Sequence, residues 1–256
     1  MIADIDRESP IPVYYQIQMD LKKRIMRHEW DAHEQIPTEM ELAKQYEVSR
    51  ITLRQALAEL EKDGIIKKYR GKGTYVESDP TPFMTSLSYS LVTSDRSAAQ
   101  HYSITADMLE QTLLTNLYPD VCEALSLKPT DKAVYIRRLF FLNGKPLALG
   151  RSYLSSELVP GLESTPFIVN SLSQTLQMRY GYIATMVEDS LEAVRSTQAE
   201  CKLLQCTYDT PLILIKGISY LTDGRPLEYS STLWVGDSVR FKLLFNRTNE
   251  GFVIKT

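Results

Sequence analysis

The sequence has few of the residues that build metal centres or disulfide frameworks. Its 256 residues include three cysteines and three histidines. Cys122, Cys201 and Cys206 are odd in number and lack the spacing of a zinc site. We therefore expect reduced, buried cysteines that act as small apolar residues, with no metal and no other cofactor.

Long apolar runs are missing as well. No stretch approaches the roughly 20 apolar residues that a membrane-spanning helix needs. The opening segment, MIADIDRESP, is too acidic and too polar for a signal peptide. These absences predict a cytoplasmic protein without a membrane partner.

A net positive charge is also lacking, since the formal charge of the chain is −3. The charges are unevenly placed, because seven lysines and arginines and only three acidic residues lie between positions 50 and 72, where the net charge is +4. A local field of this sign attracts polyanions. The case for a nucleic-acid partner therefore depends on this stretch.

Residues 48–76 have the pattern of a helix followed by a two-stranded β-wing. The apolar residues that recur at the spacing of one helical face are Leu53, Ala56, Leu57 and Leu60. Ser49 stands at the N-cap position, and Gly64 stands where a helix commonly ends. The pattern predicts a helix that buries one face and exposes Arg50 and Arg54 on another.

The predicted wing has β-prone residues at 65–68 and 74–76. The turn between them consists of Arg70, Gly71, Lys72 and Gly73. Its glycines permit positive φ, and basic residues on such a turn suit a phosphate backbone or a minor groove.

Two further helices are predicted before this stretch. Apolar residues four positions apart predict the first helix within residues 10–28. A capping box of Thr38 and Glu41 predicts the second, from about residue 39 to residue 46. Three helices and a wing together predict a winged helix-turn-helix.

Residues 10–77 resemble the DNA-binding domain of the GntR family of bacterial transcription regulators. The matching blocks run from Pro12 to Ile17, Ile36 to Ala43, Val48 to Leu57 and Gly71 to Val76. The resemblance implies that the helix arginines contact bases or phosphates, that the hydroxyls contact phosphates and that the turn enters a minor groove. The residues so implied are Ser49, Arg50, Thr52, Arg54, Arg70 and Gly71, to which the basic turn adds Lys72 and Gly73. Ser49 alternatively serves only as a helix cap.

Two positions depart from the family pattern. Met40 stands where many members carry an arginine, which removes one expected phosphate or base contact. Ile51 stands where many members carry a small polar residue, and its side chain suits contact with a thymine methyl group. The operator sequence does not follow from the family pattern.

The domain boundaries follow from composition. Residues 78–90 contain two prolines and many small polar residues without periodicity, which is typical of a linker. We therefore predict a DNA-binding domain at 1–77, a linker at 78–90 and a second domain at 91–256.

The second domain is predicted to contain an internal duplication. Apolar runs flank Asn143-Gly144 and again Asp223-Gly224, which are strong hairpin signals. Gly-Lys-Pro-Leu at 144–147 recurs as Gly-Arg-Pro-Leu at 224–227, an offset of eighty residues, and a short helix is predicted before each hairpin. The pattern predicts an antiparallel sheet with helices on one face and a cleft near the pseudo-twofold axis.

This half resembles the UTRA effector domain of the HutC-type branch of the GntR family, which implies an α+β, chorismate-lyase-like fold that binds a small molecule. In sugar-phosphate-sensing members, a second arginine and a carboxylate occupy the positions of Phe140 and Gly150. Their replacement by a ring and open space favours an organic acid, an amine or a less charged sugar derivative over a phosphate. The expected effector-binding residues are Arg138, Ser171 and Glu228, with Phe140 and its presumed eighty-residue counterpart Tyr220 as apolar walls. Alternatively, Arg138 and Glu228 form a structural ion pair.

The two resemblances together imply a ligand-responsive repressor that is associated with the nucleoid and binds a near-palindromic DNA operator as a homodimer. An enzyme of lyase-like fold joined to a DNA-binding domain is the alternative. The sequence has no Gly-rich phosphate loop and no nucleophile elbow, so we expect no enzyme. A third possibility is an architectural DNA-binding protein with an inert C-terminal domain.

Overall fold

The computed structural model describes residues 5–77, 83–86, 103–207, 210–242, 245–248 and 251–254. The chain divides into two compact units, Met1–Thr81 and Pro82–Thr256. Within the described ranges, no helix is both long enough and apolar enough to cross a membrane.

The N-terminal unit contains the three predicted helices and the predicted wing. They are α1 (Val13–Met26), α2 (Glu39–Gln45), α3 (Arg50–Lys62), β1 (Ile66–Tyr69) and β2 (Gly73–Val76). The two strands of the wing pair antiparallel, and Gln35 adds an isolated bridge to Tyr75. The winged helix-turn-helix is therefore confirmed.

The helix ends form as their sequences indicate. Thr38 and Glu41 make the complete capping box of α2, and the Ser49 side chain accepts a hydrogen bond from the Thr52 backbone at the start of α3. After α3, Gly64 has a φ of 68°, and the N–H of Ile65 bonds the Leu60 carbonyl at 3.0 Å. This is the Schellman arrangement, in which a left-handed glycine satisfies carbonyls at a helix end.

The core of this unit fixes which face of α3 points outward. Leu53 and Leu60 are fully buried, and they belong to one cluster with Ile17, Leu21 and Ile25 of α1. Burial of each such side chain contributes about 1.5–3 kcal/mol. The opposite face of α3 is left exposed.

A buried polar network, which no local sequence pattern predicts, lies between α1 and the end of α2. The Tyr46 hydroxyl donates to Asp20 at 2.6 Å and accepts from Arg24 at 3.0 Å. Arg24 also pairs with Glu29 and lies 4.4 Å from the centre of the Trp30 ring. The hydrogen bond to Glu29 raises the pKa of Arg24, while burial raises that of Tyr46. The network therefore keeps a charged guanidinium and a neutral phenol in the interior.

Replacing Tyr46 by phenylalanine removes the hydroxyl and leaves a buried carboxylate and guanidinium short of one partner each. We expect the free energy of unfolding of the N-terminal unit to fall by about 1–3 kcal/mol. Native-state hydrogen exchange of the backbone amides of α1 and α3 measures this loss in the full chain, where tryptophan fluorescence would also report Trp234 of the other unit. Tyr69→Phe is the matched control, because the Tyr69 hydroxyl makes only a 3.4 Å contact at the surface. Equal stability of the two variants would contradict the role of the network.

The C-terminal unit contains short helices and an extensive sheet. Its strands are β3 (Phe83–Ser86), β4 (Ile104–Leu114), β5 (Ala133–Leu142), β6 (Lys145–Ser155), β7 (Met186–Val194), β8 (Leu212–Tyr220), β9 (Pro226–Val235), β10 (Val239–Lys242), β11 (Phe245–Thr248) and β12 (Gly251–Ile254). Its α-helices are α4 (Pro119–Leu125), α5 (Leu172–Tyr180) and α6 (Gln198–Leu204). Short 3-10 turns lie at Leu162–Ser164, Ile168–Asn170 and Gly236–Ser238.

Six of these strands form one antiparallel sheet with two similar halves. The strand order is β4-β5-β6-β9-β8-β7. Each half consists of a strand, a helix and a hairpin, namely β4-α4-β5-β6 and β7-α6-β8-β9. Because β6 lies beside β9 at the centre, a pseudo-twofold axis passes between these two strands.

The two hairpins differ by one residue in their turns. Leu142 pairs with Lys145, which leaves a two-residue turn between them. The N–H of Leu221 bonds the carbonyl of Arg225, which leaves three residues between them. The repeat offset is therefore 79 residues before the turn and 80 after it.

This difference corrects the expected counterpart of Phe140. Both hairpins have a bulge just before the turn, one between Phe140 and Phe141 and the other between Ser219 and Tyr220. Phe140 therefore corresponds to Ser219, and Tyr220 corresponds to Phe141. Because successive side chains of a strand point to opposite faces, the slip of one residue moves Tyr220 to the other face.

Helices pack on both faces of the sheet, which corrects the expectation that they share one face. Leu172 and Leu176 of α5 cluster with Ile136 of β5. Leu204 of α6 clusters with Leu139 of the same strand. Residues 136 and 139 point to opposite sides of a strand. We name the side of Ile136 and Arg138 the first face and the side of Leu139 the second face.

The expected linker contains a strand. Phe83–Ser86 form β3, which pairs in parallel with β10 of the C-terminal unit. A four-residue strand whose partner lies some 150 residues away leaves no periodicity that a local pattern detects. The rest of the expected linker, residues 78–82 and 87–90, lies outside the described residues.

Candidate functional site

The start of α3 presents two arginines and two hydroxyls at the surface. The side chains of Arg50 and Arg54 are 61% and 57% exposed. The Ser49 hydroxyl caps the helix through the Thr52 backbone at 3.1 Å and lies 2.8 Å from the Thr52 hydroxyl. Ser49 is therefore a cap in any case, and the arginines are the groups that reach outward.

One carboxylate joins α3 to the wing. Glu39, the first residue of α2, accepts a hydrogen bond from Arg54 Nε at 2.7 Å and pairs with Lys68 of β1. Arg50 lies 3.9 Å from the same carboxylate. The Lys68 ammonium, followed by Arg54, lowers the pKa of Glu39. The carboxylate is thus ionised and shared by cations of two elements.

The turn of the wing is contacted by Gln35 and carries two exposed basic side chains. Gly71 and Gly73 have φ values of 74° and 112°. A Cβ on Gly73 would lie 2.3 Å from the Gln35 amide nitrogen, which donates to the Lys72 carbonyl at 3.2 Å. Arg70 and Lys72 are exposed. We call Arg50, Arg54, Lys68, Arg70 and Lys72 the cationic surface.

The two departures from the family pattern lie on the same parts of the fold. Met40 is 69% exposed in the first turn of α2, and Ile51 is 78% exposed in the first turn of α3. Neither side chain contributes to the core. Their exposure is consistent with apolar contact to a partner.

On the first face of the C-terminal sheet, a row of small and polar side chains runs from one half of the sheet to the other. It lies between two apolar clusters. Arg138 pairs with Gly150, and Gly150 pairs with Thr232. One cluster contains Leu176 of α5, and the other contains Trp234. We call the polar residues between them the central band, which consists of Arg138, Ser152, Ser219, Glu228, Ser230 and Thr232.

Arg138 is held by aromatic rings and by a backbone carbonyl. Its guanidinium carbon lies 4.9 Å from the ring centre of Phe140 and 5.4 Å from that of Phe167. Its Nη1 donates to the Asn170 carbonyl at 3.4 Å. The neighbouring Ser171 is buried, and its hydroxyl accepts from the Gln174 backbone as the cap of α5. Arg138, Phe140 and the start of α5 are therefore brought together.

The space above Gly150 is filled, which corrects the expectation of open space there. A Cβ on Gly150 would lie 2.9 Å from Cε2 of Phe140. Phe140 itself is only 3% exposed. The ring and the glycine, which stand where the resemblance places an arginine and a carboxylate, form a packed pair with no open space between them.

Glu228 lies on the first face in the other half of the sheet, where it is 7% exposed. Tyr220 does not join it, because the register places that ring on the second face. An ion pair between Glu228 and Arg138 stays an open alternative.

Asp189 is a candidate site residue that sequence reasoning missed. It pairs with Gly217, which in turn pairs with Ser230 of the central band. A Cβ on Gly217 would lie 1.8 Å from Asp189 Oδ1, so the carboxylate lies directly over the glycine. Burial of the carboxylate against the sheet, and then repulsion from Glu228, raises the pKa of Asp189, although the residue as a whole is exposed on the edge strand β7. Only the sheet register brings this carboxylate near the band, so no local motif could have identified it.

Replacing Gly150 by alanine forces the new methyl group against the Phe140 ring. We expect the free energy of unfolding of the C-terminal unit to fall by about 1–3 kcal/mol. Phe140→Leu in the same chain should relieve part of that loss, so a double-mutant cycle measured by denaturant unfolding should give a coupling above about 0.5 kcal/mol. Additive losses would show that the two side chains do not compete for space.

Comparisons with known proteins agree with this architecture. Residues 13–76 match the model of the bacterial regulatory proteins of the gntR family, and residues 99–240 match the UTRA domain. The transcriptional repressor NagR of Bacillus subtilis is 27% identical over 238 residues, which cover 93% of this chain and 96% of NagR. The repressor MngR of Escherichia coli, named for a mannosyl-D-glycerate transport and metabolism system, is 27% identical over 243 residues, 92% of this chain and 97% of MngR.

A solved structure shows the same fold. The crystal structure of PhnF from Mycobacterium smegmatis superposes with a TM-score of 0.62 at 24% identity, covering 91% of this chain and all of that one. The protein has a winged helix with an exposed cationic surface, followed by the duplicated sheet of a UTRA domain. This combination defines a transcription regulator. The chain belongs to the proteins with a UTRA domain, whose model covers more than half of it, and its N-terminal domain is that of the gntR family of bacterial regulatory proteins.

Proposed function

We propose that this regulator is a homodimeric repressor that binds a near-palindromic operator through its cationic surface and responds to a small molecule in its central band. The observation that carries the proposal is the outward cationic face of α3 and the wing in a chain of net negative charge. NagR and MngR are both named repressors, which supports the direction of regulation. We assign DNA binding to residues 1–77 and effector binding with dimerisation to residues 91–256.

The groups of the cationic surface differ in what they can recognise. Arg54 is bound through Nε, so its two terminal nitrogens are the groups left to face O6 and N7 of a guanine in the major groove. Arg50, Ser49 and Thr52 lie beside it at the start of α3, where they suit bases or phosphates. The turn with Arg70, Gly71, Lys72 and Gly73 suits the adjacent minor groove.

Replacing Arg54 by alanine tests direct base recognition. We expect a loss of about 1–3 kcal/mol in operator binding and relaxed preference at one base position. The operator is first located by footprinting the promoter of the protein's own gene, and binding is then measured by gel shift. If the protein protects no fragment there, the operator-binding proposal fails. Unchanged affinity of the variant would remove Arg54 from the interface.

Lys72→Ala is the variant that tests contact with the phosphate backbone of DNA, as Arg54→Ala tests contact with a base. Because an ammonium on an exposed turn suits a phosphate oxygen, which carries no sequence information, all sequences should bind more weakly by a similar factor. The slope of log affinity against log salt should become shallower by about one. A loss confined to one operator base would contradict a phosphate contact.

The central band supports an effector with mixed charge. Arg138 lies in the first half of the sheet, and the carboxylates of Glu228 and Asp189 lie in the second. A ligand that places an acidic or hydroxyl group at Arg138 and a cationic nitrogen near the carboxylates would suit both halves. The loss of the second arginine at Phe140 disfavours a doubly charged phosphate. An effector of this kind changes operator binding only to the extent that it prefers one conformation of the dimer.

Asp189→Asn tests the role of this carboxylate. Because the folded-state pKa of Asp189 is raised, its charge disfavours the fold once the pH exceeds that pKa, and this penalty is absent below the ordinary value of 3.8. The variant should therefore unfold at a higher temperature than the native chain at pH 7, with the difference shrinking as the pH falls towards 4. It should also lose the response of operator binding to whichever small molecule native mass spectrometry finds retained by the protein.

Glu188→Gln is the control, since residue 188 points to the second face of the same strand. It removes one negative charge at the adjacent position. If both variants change unfolding temperature and response to the same extent, the contribution of Asp189 is only one of net charge.

A further inference from the structure

Glu39 is an acidic residue in the middle of a surface that is otherwise cationic. Its side chain is 13% exposed, whereas those of Arg54 and Lys68, with which it pairs, are 57% and 56% exposed. The helix end does not require it, because Thr38 and Glu41 already cap α2. The start of a helix favours a negative charge, but Glu41 supplies one there. The position of this carboxylate between α3 and β1 therefore calls for another explanation.

We infer that Glu39 determines the specificity of operator recognition by withholding Arg54 and Lys68 from phosphates while orienting Arg54 towards a base. The inference rests on the operator-binding function proposed above. Binding to arbitrary DNA comes almost wholly from cations that neutralise phosphates. A carboxylate that already neutralises two such cations weakens this sequence-independent attraction.

The same contact preserves base recognition. The carboxylate holds Arg54 by Nε at 2.7 Å, which fixes the plane of the guanidinium and leaves its far edge directed outward. A guanidinium held in one orientation loses less conformational entropy when it forms a bidentate pair with guanine. Glu39 thus lowers affinity for all sequences but lowers it least for the operator.

Glu39→Gln tests this balance without changing the size of the side chain. The first probe is a mixed-sequence duplex without an operator, titrated by fluorescence anisotropy at several salt concentrations. The release of two cations should tighten binding by about tenfold near 0.1 M salt and steepen the salt slope by about one to two. Glu59→Gln is the control, since it removes the same charge from α3, where Glu59 pairs with Lys62 at 3.5 Å.

The second arm measures specificity by selecting binders from a randomised duplex library. The native chain and Glu59→Gln should enrich one consensus, while Glu39→Gln should enrich it several-fold less and lose preference at the base read by Arg54. Thermal unfolding confirms that each variant is folded. If the two variants behave alike in both arms, or if Glu39→Gln binds mixed duplex no more tightly than the native chain, the inference is overturned.

The two arms also separate this inference from the operator proposal. If the native chain enriches no sequence, operator recognition fails, and the specificity role of Glu39 fails with it. If the native chain enriches a consensus that Glu39→Gln enriches equally well, operator recognition stands and only the role of Glu39 is overturned.

Discussion

The packing of α3 against α1 is the constraint on which the DNA-binding surface depends. Leu53, Leu57 and Leu60 must face the core, and the 3.6-residue period then directs Arg50 and Arg54 outward. A one-residue shift of the apolar pattern would turn the arginines towards α1. The Schellman end at Gly64 carries the chain directly into β1, which brings Lys68 of the wing to the same carboxylate as Arg54.

In the C-terminal unit, the duplicated sheet supplies equivalent positions that differ in charge. With the offsets of 79 and 80 residues, Arg138 corresponds to Gly217 and Ala148 corresponds to Glu228. The cation therefore belongs to one half and the carboxylate to the other, although both halves have the same backbone. The effector site proposed between the halves is therefore asymmetric through side chains alone, as is needed to orient a ligand with two different ends.

Local signals in the sequence predicted the elements well, because caps, periodicity and turn residues act within a few positions. The capping box of α2, the wing and both hairpins follow from such signals. The pairing and register of strands remote in sequence could not be predicted from such local signals. The extra residue in the second hairpin turn moved the counterpart of Phe140 from Tyr220 to Ser219, and one residue is enough to reverse a face. Asp189, β3 and the network around Tyr46 each depend on partners remote in sequence, so no local pattern revealed them.

Positive and negative charges lie in different segments of the first domain, just as they lie in different halves of the second. Residues 1–49 contain six lysines and arginines against ten acidic residues, a net charge of −4, whereas residues 50–72 carry +4. This distribution of charge favours approach to DNA with α3 and the wing forward. Because the positive stretch is small and partly neutralised by Glu39, few phosphates can be neutralised at once. If the proposed operator binding is strong at physiological salt, contacts that depend on sequence supply most of it, which is what a repressor needs to distinguish its operator from an excess of other DNA.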